Sequence, residues 1–199
     1  MPLTAADINA LLNYWAANEA LYMSAHTAYS ATGANELTGG TYARVAVTWA
    51  GASGGSVSLS GTPYTINTPA SSVVEFVGFW TASSGGTFAG MFPGGNYAAY
   101  TFAAPSSTSV LLAPGSAYAN GTTVVVFNTS GSALPSGLTA GTVYYVVSAS
   151  GDSFELSATS GGSAITLSGD GSGIVQRIAP ETFTLAGTYS VSGMSLTGV

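Results

Sequence analysis

Along most of this chain the hydrophobic positions fall in short runs or in alternation with polar ones, and Gly, Ser, Pro and Asn interrupt them at close intervals. That pattern predicts strands joined by turns. The most continuous hydrophobic segment is Ser72 to Phe92, SVVEFVGFWTASSGGTFAGMF. Val73 to Trp80 is β-branched and aromatic, Ser83-Ser84-Gly85-Gly86 supplies a turn, and Thr87 to Phe92 resumes the apolar run, which predicts a central β-hairpin. Val73, Val74, Phe76, Val77, Phe79 and Trp80 crowd both faces of its first strand, so that strand is expected to be covered on both sides.

One stretch has a helical period instead. Thr4-Ala5-Ala6-Asp7 fits a loose capping box, and Ile8, Leu11, Leu12 and Trp15 follow at i, i+3, i+4 and i+7. The spacing predicts a helix from about Ala5 to Ala17 whose stripe packs on a sheet or enters a neighbouring subunit. Leu21 to Thr27 alternates Leu21, Met23 and Ala25 with Tyr22, Ser24 and His26, a strand with two unlike faces. Tyr29 to Gly40 reads as a loop, and Thr41 to Ala50, Ser56 to Ser60 and Tyr64 to Thr68 read as strands. After the hairpin, a turn at Pro93 to Asn96 leads into a strand over Tyr97 to Phe102, and Ala103 to Thr108 has the composition of a linker. From about Ser109 to Arg177 the texture changes, with strand-like runs at Thr122–Phe127, Val143–Ser148, Ser153–Ala158 and Ala164–Leu167 between Gly and Ser turns.

With 199 residues, 46% of them hydrophobic, the chain has ample material for a packed core. Only 5% of residues are charged, against about 25% in ordinary globular proteins. Arg44 and Arg177 are the only basic residues, and there is no lysine. So sparse a surface charge implies that Ser, Thr, Asn and Gly solvate the exterior, that other subunits cover part of it, or both. A net charge of −6 with two arginines excludes the usual electrostatic route to nucleic acid. The absence of cysteine excludes disulfides, thiolate catalysis and Cys-ligated zinc. No basic-then-apolar leader opens the sequence, and no apolar run approaches the roughly 18 residues of a membrane span. The expectation is a soluble product made in the cytoplasm.

Candidate chemistry is thin. Arg44 lies in a strand region nearly free of basic residues and is expected to pair with Glu36 from the preceding loop, as a structural ion pair. His26, the only histidine, is expected to be a hydrogen-bonding residue rather than a catalyst. Gly51-Ala52-Ser53-Gly54-Gly55 spells the G-x-S-x-G string of hydrolases, but a strand follows it and the histidine lies upstream, so a turn is expected. Ser168 to Gly173 superficially resembles a calcium loop yet offers one carboxylate, Asp170, and the module's other acids are Asp152 and Glu155. No catalytic, cofactor or metal site is predicted. Asn120-Gly121-Thr122 and Asn128-Thr129-Ser130 are glycosylation sequons without any sign of secretion.

The stretch GANELTGGTYARVAVTW, Gly33 to Trp49, is preceded by His26-Thr27 and followed by Phe79-Trp80 and Gly86-Thr87-Phe88. Together these resemble a family of small bacteriophage virion proteins described as tail-fibre or minor tail proteins. The closing stretch ETFTLAGTYSVSGMSLTGV, Glu181 to Val199, is similar to that family's ending. Leu134 to Gly173 resembles a small β module that recurs inside otherwise unrelated phage tail and structural proteins. The resemblance implies a mainly β protein: an antiparallel β-sandwich or barrel-like domain with one N-terminal helix, formed by 1–108 and 178–199, with a small β domain inserted at 109–177. An insertion needs both its ends at a surface loop, so the module is expected to project into solvent.

The function implied is that of a non-enzymatic virion structural protein, a minor tail or tail-fibre-like component made in the host cytoplasm. Its expected partners are other virion proteins of tail or capsid and further copies of itself, with no nucleic acid and no membrane. The helix stripe Ile8, Leu11, Leu12 and Trp15 is a candidate assembly contact. Two alternatives are a capsid decoration or head fibre protein that coats the shell, and a host glycan- or receptor-binding module acting at the cell surface. For the latter, Tyr118, Tyr144 and Tyr145 are imaginable stacking platforms.

Overall fold

The computed structural model describes residues 3–95, 97–105, 108–129 and 131–197. Asn96 of the expected turn, Ser106 and Ser107 of the expected linker and Ser130 of the second sequon lie outside the described residues. The chain divides into two compact units, Met1–Asn96 with Pro180–Val199, and Tyr97–Ala179.

The first unit opens with helix α1, Ala5–Asn18. Thr4 caps it through both halves of a capping box: its side chain accepts from the Asp7 amide, and the Asp7 carboxylate accepts from the Thr4 amide at 3.0 Å. Ile8, Leu12, Trp15 and Ala16 form the buried face, packed with Val57, Trp49, Ala52 and Leu196. Leu11 is 58% exposed and does not share that face. The expected stripe is therefore corrected: three of its members pack within the molecule, and Ala16 takes the place given to Leu11.

The strands that follow are β1 (Tyr22–His26), β2 (Val45–Ala46), β3 (Thr48–Trp49), β4 (Ser56–Ser60), β5 (Tyr64–Thr68), β6 (Ser72–Val74), β7 (Phe76–Trp80) and β8 (Phe88–Pro93). The unit closes with β15 (Glu181–Phe183), β16 (Gly187–Val191) and β17 (Ser195–Thr197). A four-stranded antiparallel sheet has the order β2-β1-β7-β8, so β7 is central and its first four residues are buried. Smaller antiparallel pairings surround it: β15 with β6, β16 with β5, and β17-β4-β3. The closing strands thus return from the far end of the sequence to complete sheets begun near its start.

Two strand expectations change. The run Val73 to Trp80 is split at Glu75, whose amide donates to the His26 carbonyl at 2.9 Å and whose carbonyl accepts from Gly94 at 2.6 Å. The half before the break pairs with β15, and the half after it pairs with β1 and β8. Thr41 to Ala50 yields only β2 and β3, because the Val47 amide between them turns to the Leu21 carbonyl. Phe79 sits at the centre of the core, with Trp15, Trp49 and Phe92 rings at 5.9, 5.2 and 5.8 Å. Edge-on packing of this kind adds to area burial.

The second unit is a closed six-stranded antiparallel barrel of β9 (Ala99–Ala104), β10 (Leu111–Leu112), β11 (Thr123–Phe127), β12 (Val143–Ser150), β13 (Ser153–Ser157) and β14 (Gly171–Arg177), in the order β10-β13-β12-β11-β14-β9. Closure leaves no free sheet edge. The boundaries differ from 109 and 177: β9, assigned from sequence to the first domain, pairs with β14 along six positions and belongs to the barrel. Ala164–Leu167 is not a strand; the Ile165 amide donates to the Leu156 carbonyl, the Leu167 amide donates to Ser109 Oγ at 3.2 Å, and an isolated bridge joins Ser168 and Ser136. Gly171 to Gly173, the end of the stretch read from sequence as a turn with a superficial likeness to a calcium loop, instead begins β14. Gly171 and Gly173 lie so close to Pro135 and to the Phe127 carbonyl that a Cβ would collide with them.

Candidate functional site

Polar side chains in the first unit converge on Arg44. Its Nε donates to Glu36 Oε1 at 2.8 Å and its Nη2 to Glu36 Oε2 at 2.7 Å, a two-pronged ion pair. Nη1 donates to the carbonyls of Ala82 and Gly85 in the turn between β7 and β8. The guanidinium stacks 3.6 Å from the centre of the Trp80 ring. The Tyr42 hydroxyl adds a third bond to Glu36 Oε1, at 2.8 Å. Burial works to raise the Glu36 carboxyl, but the bonds from Arg44 and Tyr42 outweigh it and hold the group below its ordinary value. Burial and the bond to Glu36 push the Tyr42 phenol well above its own.

His26 lies on the other side of Trp80 in this network, fully buried together with Ser24. The polar side expected of β1 therefore faces the interior. Ala34 offers only a carbonyl to Nδ1, at 2.9 Å, so Nδ1 carries the proton. Nε2 then accepts from the Ser24 hydroxyl at 2.7 Å, and Ser24 Oγ accepts from Trp80 Nε1 at 2.9 Å. The relay is satisfied with a neutral imidazole, and burial depresses the His26 pKa, against the opposing pull of the bond to Ala34. Gly78 makes room for it: a Cβ there would come within 2.5 Å of His26 Nε2.

This arrangement clamps the 33–44 segment to the β7–β8 hairpin, and it engages both nitrogens of the imidazole in holding structure. Ser53 opens a two-residue turn whose Gly54 and Gly55 have φ of 60° and 81°, and it pairs through its backbone with Ser56. Asn9 and Asn13 of α1 pin this turn, accepting from the Gly55 and Ala52 amides at 2.9 and 2.8 Å. Among the described residues no group of three or more His, Asp or Glu is placed to hold a metal ion.

The three tyrosines singled out as stacking platforms part company in the barrel. Tyr144 is 4% exposed, and its hydroxyl accepts from the Thr139 amide at 2.9 Å, so it is a core residue with no free face. Tyr145 is half-buried on the next position of β12. Tyr118 is half-buried and stands edge-on to Tyr100 and Phe154. Sequence reasoning missed Ser24, Asn9, Asn13 and the Trp80 stack. The available signal was a glycine, Gly78, in the middle of an otherwise bulky strand.

Residues 3–94 match the model of a phage fibre protein family described as Podophage GP4 fiber I protein gp80. No curated protein and no solved structure matches the chain. Over the matched segment the chain is similar to structural fibre proteins of the virion. That segment contains α1, β1 to β8 and the whole Arg44 cluster, it ends two residues before the first unit gives way to the barrel, and the barrel lies outside it.

Proposed function

We propose that this chain is a bacteriophage virion structural protein, a minor tail or tail-fibre-like component that acts by assembly with other virion proteins and with copies of itself. The observation that carries the reading is the match over residues 3–94 to a phage fibre family. Composition supports it, since a chain with 5% charged residues suits a protein held by neighbours better than a free one. The role in this reading is non-enzymatic, which is supported by the engagement of both His26 ring nitrogens and of the Glu36 carboxylate in structural bonds.

Within this reading the barrel is an insertion in the fibre-like unit. The Gly94 amide bonds to Glu75, and Val74, its neighbour in sequence, pairs with Glu181. The two points where the chain leaves and re-enters the first unit therefore lie side by side, as a tolerated insertion requires.

Quantitative mass spectrometry on purified particles, after heads and tails are separated, tests the assignment. The expected result is recovery with the tails at the low copy number of a fibre or ring component. Recovery with the heads at the high copy number of a shell protein would instead make it a capsid decoration protein, and absence from both would contradict the virion reading.

A further inference from the structure

The loop after β1, residues 27–35, is lightly held. From Ala31 to Asn35 only Gly33 is buried, and many of the loop's bonds are its own. The Thr32 and Ala34 amides donate to Ser30 Oγ at 3.1 and 2.9 Å, the Asn35 side chain to the Tyr29 carbonyl at 3.4 Å, and the Thr27 amide to the Asn35 carbonyl at 3.0 Å. A segment built this way opens at a fraction of the cost of unfolding the whole unit. Its seat on the body is made by His26 Nδ1–H on the Ala34 carbonyl, by the Tyr29 ring edge-on to Phe76 at 6.0 Å, and by the Ser30 amide on Met91 Sδ at 3.4 Å. Gly33 lies so close to the Trp80 and Phe88 rings that a Cβ would collide with both.

The imidazole beneath this loop is walled in by Ser24 on its own strand, by Gly78 and Trp80 on β7, by the Phe88 ring of β8 at 6.3 Å and by Ala34 above. The charged groups that bear on it are Glu36 and Arg44, opposite in sign and paired with each other. The Tyr42 phenol bonds to Glu36, and Glu75 meets the His26 carbonyl through its backbone amide. Each bond of the relay uses one proton. A second ring proton, on Nε2, would point at Ser24 Oγ, which already accepts from Trp80 Nε1, and the Ser24 proton would lose its acceptor. The closed loop therefore fits the neutral ring, whereas the cation needs water, which reaches it when the loop lifts.

We propose that residues 27–35 are an acid-released flap: protonation of His26 lifts the loop and uncovers the Trp80 and Phe88 rings, while the Glu36–Arg44 pair stays closed as its hinge. Burial depresses the His26 pKa under the closed loop, and the lifted loop returns it to the ordinary 6.5. Opening therefore gains as pH falls below 6.5, by up to about tenfold per pH unit. Glu36 is held below its ordinary value, so the hinge pair survives over the same range. The device rests on the geometry around His26 and stands apart from the fibre reading.

The test is hydrogen exchange of the full chain, followed by NMR at pH 7.5 and pH 5 and corrected for the intrinsic exchange rate at each pH. The expected result is that protection of the amides of residues 27–35 and of the Trp80 indole N–H falls at pH 5 by up to about thirtyfold, while the amides of β7 and β11 keep theirs. His26→Gln, which cannot take up a proton, is expected to leave the protection of the loop the same at both pH values. Unchanged protection of the loop in the parent would overturn the proposal. So would a loss shared equally by β7, which would mean opening of the whole unit, or the same pH dependence in His26→Gln. The parent's own pattern decides the matter even where the variant fails to fold.

Discussion

Arg44 holds four acceptors at once, both Glu36 carboxylate oxygens and the carbonyls of Ala82 and Gly85, and covers Trp80 with its plane. Only the guanidinium has enough donors in a rigid plane to do this, so the site is specific for arginine. Arg44→Ala is expected to cost about 3–5 kcal/mol in urea unfolding, the range for leaving one charge of a largely buried pair alone. Arg44→Lys should fall near the alanine variant rather than near the parent; full stability with lysine would mean that the charge alone matters.

The neighbouring His26 sets a pH dependence. Its folded pKa is depressed below the ordinary 6.5, so the unfolded chain binds the proton first as pH falls. Its stabilising contribution is present above about pH 6.5 and is lost below it, at up to about 1.4 kcal/mol per pH unit. His26→Gln should flatten the stability profile below about pH 6.5. Glu75 runs the other way, since burial raises its carboxyl and no side-chain partner stands against it among the described residues. Glu75→Gln should stabilise the protein at neutral pH, with the gain vanishing below its ordinary value of 4.5. The Glu36–Arg44 pair could be anticipated because charge is so scarce here that few partners exist. The His26 relay could not, because alternation in β1 says which residues share a face and not whether that face meets water.

At the scale of elements, local signals were legible and their partners were not. The capping box and the 3.6 period placed α1 closely, and β4 and β5 match their expected spans. Ile8, Leu12 and Trp15 are compatible with either of two adjacent stripes, and the choice of Ala16 over Leu11 follows from the way α1 lies on β3 and β4. Leu12→Ala is therefore expected to cost about 2–4 kcal/mol, whereas Leu11→Ala should stay within about 0.5 kcal/mol of the parent. Equal costs would show that Leu11 is covered. The split at Glu75 was hidden for a related reason: the apolar run is continuous, and only the hydrogen bonds to His26 and Gly94 divide it. Gly78→Ala should cost about 1–3 kcal/mol by overpacking against the imidazole.

For the whole molecule, the change of texture along the sequence signalled a second body, but its start was placed late because β9 looks like any other strand until its pairing with β14 is seen. The closing of the barrel and the return of β15 to β17 are long-range pairings that no local window encodes. If residues 1–96 and 180–199 make one unit complete without the barrel, that unit folds alone. All three tryptophans, Trp15, Trp49 and Trp80, lie in that unit, so its unfolding has its own reporter. The direct measurement replaces residues 97–179 by a short Gly-Ser turn and follows tryptophan fluorescence in urea. A native-like spectrum with one cooperative transition close to that of the full chain is the expected result. Loss of the folded tryptophan signal, with the three rings exposed to water from the start, would show that the first unit needs the barrel to fold.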